Sequence, residues 1–152
     1  MGREEINNHF LPKQKYVFEI TPVAQGRPKF TRGGHAYDPP KSRKFKRELA
    51  SVAKEQLNEH PFYAGEHVPI EVHLKFYVPM LKSFSKIKRD RALNGSLRPP
   101  KRPDIDNYIK GTLDSLNKLF WHDDGQIIEL RAGKYYSDTP RIELEIKEVS
   151  DG

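Results

Sequence analysis

Ile70-Glu71-Val72-His73-Leu74-Lys75-Phe76-Tyr77-Val78 alternates apolar and polar residues without a break. Successive side chains of a strand point to opposite faces. Ile70, Val72, Leu74, Phe76 and Val78 therefore define one buried face, and Glu71, His73, Lys75 and Tyr77 one open face. Outward from this strand, Tyr16, Phe18 and Ile20 alternate near the start of the chain, and Ile142, Leu144 and Ile146 alternate against Arg141, Glu143, Glu145 and Lys147 near its end. Ile127 to Tyr136 reads as a further strand. It leads through Ser137-Asp138-Thr139-Pro140, a turn signal, into the last one, so the pair is expected to form a hairpin.

Two segments switch to helical period and supply the cover for the buried face. Phe45, Leu49, Val52, Ala53 and Leu57 recur at three or four residues, which predicts a helix from about Lys41 to Asn58, stopped before Pro61. Ile105, Ile109, Leu113, Leu116 and Phe120 form a second stripe, predicting a helix from about Ile105 to Leu119. Pro103, Asp104 and Asp106 stand where a helix N-terminus favours proline and acids. The order strand, helix, strand, helix, strand, strand gives an α+β fold. It is read as a single domain over residues 1–152, a mixed β-sheet with two main helices. Residues 1–14 are expected to be flexible, and residues 79–102 to be a long basic loop with a short helix around Ser85 to Leu93. A loop of that length inside a compact domain is usually functional or mobile.

The 152 residues suffice for one core. No cysteine is present, which removes disulfides, thiol nucleophiles and thiolate metal sites. No apolar run is long enough to span a bilayer and Met1 to Pro12 lacks a signal-peptide core, so the cytoplasm is the expected location. The net charge of +6 divides unevenly: Arg27 to Arg47 carries +7, Lys82 to Arg102 carries +7, and the remainder carries −8. Neither basic segment has an apolar helical face to insert into lipid, so nucleic acid is the favoured partner. In the first, Arg27, Lys29 and Arg32 are candidates for phosphate, with Phe30 or Tyr37 available to stack on a base. In the second, Lys86, Lys88, Arg89, Lys101 and Arg102 are the candidates. A solvated, flexible hairpin would also account for the first segment.

The chemistry-bearing stretch runs from Asp104 to Asp124. Asp106, Lys110 and Asp114 follow at steps of four and share one helical face, about a right angle from the Ile109 stripe. Trp121-His122-Asp123-Asp124-Gly125 comes next, leading into a strand. Carboxylates without cysteine are the ligand set of a hard cation, Mg²⁺ or Mn²⁺. Such an ion polarises a phosphodiester and lowers the pKa of bound water, and a nearby lysine neutralises charge on the scissile phosphate. Plainer roles exist for the same residues. Asp104 or Asp106 can cap the helix, Asp106 and Lys110 can pair along it, Asp123-Asp124-Gly125 is good turn chemistry, and His122 and Asp114 can be surface residues. Bringing Asp124 to Asp104 would require the chain to return by about one helix length.

The strings Arg102-Pro103-Asp104-Ile105-Asp106-Asn107-Tyr108-Ile109-Lys110, Asp114-Ser115-Leu116-Asn117 and Asp123-Asp124-Gly125-Gln126-Ile127 resemble the signature of the RusA family. These are Holliday junction resolvases, often encoded by prophages. The similarity extends from about Lys15 to Lys147, and the order of strands, Gly-Arg-Pro-Lys-Phe loop, helices and closing strands fits it. The resemblance implies a homodimeric, Mg²⁺- or Mn²⁺-dependent endonuclease that cuts paired strands of a four-way junction in DNA recombination and repair. By that resemblance Asp104, Asp106 and Asp124 are metal-binding and catalytic, Lys110 is the catalytic lysine, and Asp123 is a neighbouring acid at the metal. Two symmetric cuts also ask for two centres related by a two-fold axis, hence a dimer. The loop from Met80 to Arg98 is longer than in compact members, which bears on how DNA docks. A less selective nuclease acting on flaps or forks, and a DNA-binding module without catalysis, are the alternatives.

Overall fold

A computed structural model describes residues 12–149. The expected flexible stretch, residues 1–14, lies mostly outside the described residues, and Gln14 already opens a strand. The main sheet has four strands: β1 (Gln14–Phe18), β4 (Ile70–Pro79), β5 (Ile127–Ser137) and β6 (Arg141–Glu148), in the order β1-β6-β4-β5. A separate two-stranded ribbon is formed by β2 (Lys29–Phe30) and β3 (Ala36–Tyr37). Three helices stand among the described residues: α1 (Pro40–Glu59), α2 (Lys86–Leu93) and α3 (Ile105–Leu116). The short helix expected inside the basic loop is therefore present. The second main helix stops earlier than its apolar stripe, because Asn117 leaves helical geometry and Lys118 takes φ +74°.

The expected hairpin between the last two strands is not formed. β4 lies between them, antiparallel to β6 and parallel to β5. The Ser137–Pro140 turn instead carries the chain across the end of β4. There Pro79 faces Ser137 and Tyr77 faces Arg141, so the turn spans two strand spacings, roughly 10 Å. The Ser137 hydroxyl accepts from the Thr139 amide at 2.9 Å and from Arg141 Nη1 at 3.0 Å, which fixes this crossing.

The alternation in β4 is realised as read: Ile70, Val72, Leu74 and Phe76 are buried and Glu71, His73, Lys75 and Tyr77 face out. Phe45, Leu49 and Ala53 of α1 and Tyr108, Leu113 and Leu116 of α3 cover the buried face, with Tyr16, Phe18, Ile142, Leu144 and Ile146 from the flanking strands. Phe76 stacks on Tyr108 at 5.3 Å, and Phe120 meets Tyr16 edge-on at 4.9 Å. Leu49 is fully buried, so truncating it to alanine costs about 2–5 kcal/mol.

The two helices are also tied by polar contacts. The Ser115 hydroxyl donates to the Lys46 carbonyl at 2.7 Å, and Lys46 Nζ lies 2.9 Å from Asp38 and 3.2 Å from Asp114. Burial pulls the Lys46 pKa down, but its hydrogen bonds to Asp38 and Asp114 outweigh this and hold the ammonium above its ordinary value. The opposite face of the sheet has no helical cover and is a charged surface: Glu145 bonds Lys15 and His73, and the Arg141 guanidinium lies 3.8 Å from the Tyr77 ring centroid.

Candidate active site

α3 carries the decisive group at its start. Asp104 holds the N-cap position in extended geometry, yet its carboxylate makes no capping hydrogen bond; only its carbonyl accepts, from the amides of Asn107 and Tyr108. Asp106 lies in the first turn, exposed, and forms no ion pair with Lys110. The two plain roles open to these acids, cap and i,i+4 pair, are thus both unused. Asp114 differs: it is held by Lys46 and serves the contact between α1 and α3.

Lys134 and Arg98 position this end of α3. Lys134 Nζ donates to the carbonyls of Lys101 and Pro103 at 2.9 and 3.0 Å, across a cis Arg102–Pro103 peptide. Arg98 donates through Nε to the Lys134 carbonyl at 2.9 Å and stacks its guanidinium 4.1 Å from the Tyr135 ring centroid. Neither was singled out from the sequence. Their role depends on a strand meeting a loop more than 30 residues away, for which no local pattern exists. On the other side of α3, the Gln25 amide donates to the Asn107 carbonyl at 2.9 Å, and the Gly26 amide to the Ser42 hydroxyl at 2.9 Å. This anchors the base of the β2–β3 ribbon against the first turns of α3.

The candidate nucleic-acid residues therefore flank the acids from two sides. Arg27, Lys29, Phe30, Arg32 and Tyr37 are all exposed on the ribbon, whose turn closes by Thr31 N–H to His35 O and uses Gly34 at φ +83°. Lys86, Lys88 and Arg89 are exposed on α2, and Lys101 and Arg102 immediately precede Asp104. The first basic segment is thus divided between this exposed ribbon and the start of α1.

Asp123 and Asp124 sit elsewhere. Asp123 caps a short 3-10 turn, Asp124–Gln126: its carboxylate accepts from the Gly125 amide at 3.0 Å, while Gln126 Oε1 accepts from the Asp123 and His122 amides. Gln126 Nε2 donates in turn to the carbonyls of Gly65 and Val68. Asp124 is exposed; its carbonyl accepts from the Ile127 amide, and its carboxylate has no hydrogen-bond or ionic partner among the described residues. His122 lies 3.5 Å from Lys118 Nζ and 3.7 Å from Glu66, away from the α3 N-terminus.

The chain makes the expected return along β5, but Asp124 comes before it. Asp104 neighbours position 134, seven residues along β5 from Ile127, so Asp124 and Asp104 are on the order of 20 Å apart within one copy. Among the described residues no three His, Asp or Glu side chains stand close enough to share a metal ion. The pair Asp104 and Asp106 nevertheless fits Mg²⁺, which usually takes one or two carboxylates and fills its other positions with water and substrate phosphate. Two unpartnered carboxylates at a solvent-open helix start meet that requirement, and Lys110, one turn along and unpaired, offers a cation to phosphate.

The family model for endodeoxyribonuclease RusA matches residues 19–147. The uncharacterized protein YqaN of Bacillus subtilis (strain 168) is 46% identical over 141 residues, covering 90% of this chain and 96% of YqaN. The crossover junction endodeoxyribonuclease rusA of Lactococcus phage r1t is 47% identical over 49 residues, 32% of this chain and 37% of the phage protein. With the family model spanning all but the chain ends, this chain belongs to the RusA endodeoxyribonuclease family.

Proposed function

We propose that this protein resolves four-way DNA junctions by paired, symmetric hydrolysis of phosphodiesters, dependent on Mg²⁺ or Mn²⁺, in recombination and repair of DNA. The observation that carries the reading is the trio Asp104, Asp106 and Lys110, free of internal partners and flanked by two basic elements. Asp104 and Asp106 would hold the ion. When bound, it supplies polarisation of the phosphodiester and an ionised water. Lys110 offers its ammonium to the non-bridging oxygens of the scissile phosphate, where negative charge grows in the transition state. The ribbon and α2 hold the polyanion on both sides, through Arg27, Lys29, Arg32, Lys86, Lys88, Arg89, Lys101 and Arg102, while Phe30 and Tyr37 present rings to bases. A DNA substrate makes the cytoplasm the site of action.

The active form in this reading is a homodimer, and its centres are shared. β5 is an edge strand whose first half exposes Ile128 and Leu130, an arrangement that invites pairing with another strand. Antiparallel pairing of two β5 strands about a two-fold near Leu130 would set the Asp124 end of one copy beside the Tyr136 end of the other. That end neighbours Lys134 and hence Asp104. The same operation covers the edge and supplies each Asp104–Asp106 pair with Asp123 and Asp124 from a second copy.

Cleavage of a synthetic four-way junction in Mg²⁺ tests the function. The native chain is expected to cut opposing strands in pairs, leaving a flap and a linear duplex largely intact. Asp106→Asn is expected to lose cleavage by at least about 10²-fold while still shifting the junction in a gel. Wild-type cleavage by Asp106→Asn would defeat the assignment of the centre. Equal cutting of flap and junction would defeat the assigned substrate.

A further inference from the structure

The most exposed large apolar side chain among the described residues is Ile87, 74% exposed, followed by Phe30 at 68%. A lone exposed isoleucine needs no explanation in itself. Ile87 is distinguished by how it is held and by what surrounds it. α2 buries only Ala92 and is fixed against the second half of β5. The Ser85 hydroxyl caps it by accepting from the Lys88 amide at 3.2 Å, and Phe84 packs edge-on against Tyr136 at 5.2 Å. Arg98 clamps the returning limb on Tyr135 and Lys134, and Lys134 grips the carbonyls just before Asp104. α2 is thus braced by the same contacts that position the acids.

Helical spacing places Ile87 on the side away from Ala92, with Arg91 one turn along and Lys86 beside it. Lys86, Lys88, Arg89 and Arg91 form no ion pair with any acid among the described residues. Lys86, Lys88 and Arg91 stand around Ile87, against the single acid of the helix, Asp90, three residues along. A surface with this excess of cations around an exposed apolar side chain fits a polyanion that also has apolar surface. In DNA that surface is the face of a base, and it becomes accessible where stacking is interrupted. A branch point is such a place. Apolar wedges inserted at disrupted base steps beside phosphate-binding cations are a recurrent way of reading DNA shape.

We propose that Ile87 is a wedge that enters the branch point of the DNA, seated against an unstacked base, while Lys86, Lys88 and Arg91 hold the flanking phosphates. The proposal rests on the reading of the chain as a branched-DNA nuclease and adds a residue that selects the branch over plain duplex. It was not among the residues the sequence pointed to, because one isoleucine in a basic helix carries no periodic signal.

The test uses a junction carrying 2-aminopurine at its centre, titrated with full-length protein in EDTA so that no strand is cut. The native chain is expected to brighten the probe as the base unstacks. Ile87→Ala is expected to abolish most of that change and to lower the ratio of junction to duplex affinity by roughly tenfold. Duplex affinity and its salt dependence should stay as they were, since the cations remain. Ile87→Met should keep the signal. An unchanged fluorescence response and affinity ratio in Ile87→Ala would overturn the proposal, as would a shift of that variant from dimer to monomer in sedimentation, which would assign Ile87 to a protein contact. A native protein that brightens the probe but cuts no branched DNA in any divalent metal would support the wedge and defeat the nuclease reading.

Discussion

Mixing two inactive variants separates a shared centre from one built within a single copy. α3 is 12 residues long, so its ends are roughly 17 Å apart, and Asp104 stands at one end while Asp124 follows the other. Two carboxylates that share one ion, each about 2.1 Å from it, lie no more than about 4 Å apart. No rotamer change closes that gap. Asp106→Asn and Asp124→Asn are each expected to be inactive as homodimers. Refolded together in equal amounts, about half of the dimers contain one chain of each kind. If the centre is shared, one site in such a dimer carries both substitutions and the other carries neither. Nicking of the junction should return to about one quarter of the native rate, as single nicks rather than paired cuts. If each centre lies within one copy, every site in the mixture carries a substitution and nothing returns. Absence of recovery, with mixed dimers demonstrated by differential tagging, would refute the shared centre and the β5 pairing behind it.

Two further substitutions test the framework. On the open face of the sheet, a side-chain hydrogen bond shared with Glu129 raises the Glu71 pKa above its ordinary 4.5, with burial and the neighbouring charge adding to this. A raised acid gives stability that is present below pH 4.5 and lost as pH rises through the folded value, so Glu129→Gln should flatten this loss and raise the melting temperature at pH 7, as scanning calorimetry across pH would show. Lys46→Met leaves Asp38 and Asp114 without their common cation and is expected to cost about 1 kcal/mol in urea unfolding, the partial exposure of both acids keeping it small. Asp38, lowered chiefly by its hydrogen bond to Lys46, gives stability that is present above pH 3.8 and lost as pH falls through its folded value; in Lys46→Met that acid limb should fade.

Period two located β1, β4 and β6 and period 3.6 located α1 and α3, because each of these buries one face and the pattern records which; the β2–β3 ribbon and α2, exposed almost all round, carry no such pattern. What periodicity does not contain is the neighbour of each strand. Ser137-Asp138-Thr139-Pro140 serves equally as a hairpin turn and as a crossing over the end of β4, and only the pairing of β4 on both sides decides between them. The same limit applies to the site. The α3 acids and Lys110 were legible from spacing and family resemblance, and Asp104 and Asp106 do come together at one helix start. That Asp123 spends its carboxylate on the Gly125 amide, and that Asp124 stands at the far end of α3, follows from the direction of β5, which no motif encodes.

The basic pI suggested DNA, but the disposition of individual charges says more. A protein with 27 cations could easily have quenched two acids at a helix start. Instead, three cations that contact α3 or its approach have other engagements. Lys134 is committed to the Lys101 and Pro103 carbonyls, Arg98 to Tyr135 and the Lys134 carbonyl, and Lys46 to Asp38 and Asp114. Among the described residues Asp104 and Asp106 form no ion pair. Such an arrangement stabilises nothing by pairing. It is the arrangement expected where a divalent cation and a phosphate are to be received. In the proposed function, placing cations one turn or one loop away, rather than in contact, would let them bind the polyanion without cancelling the carboxylates that would hold the metal.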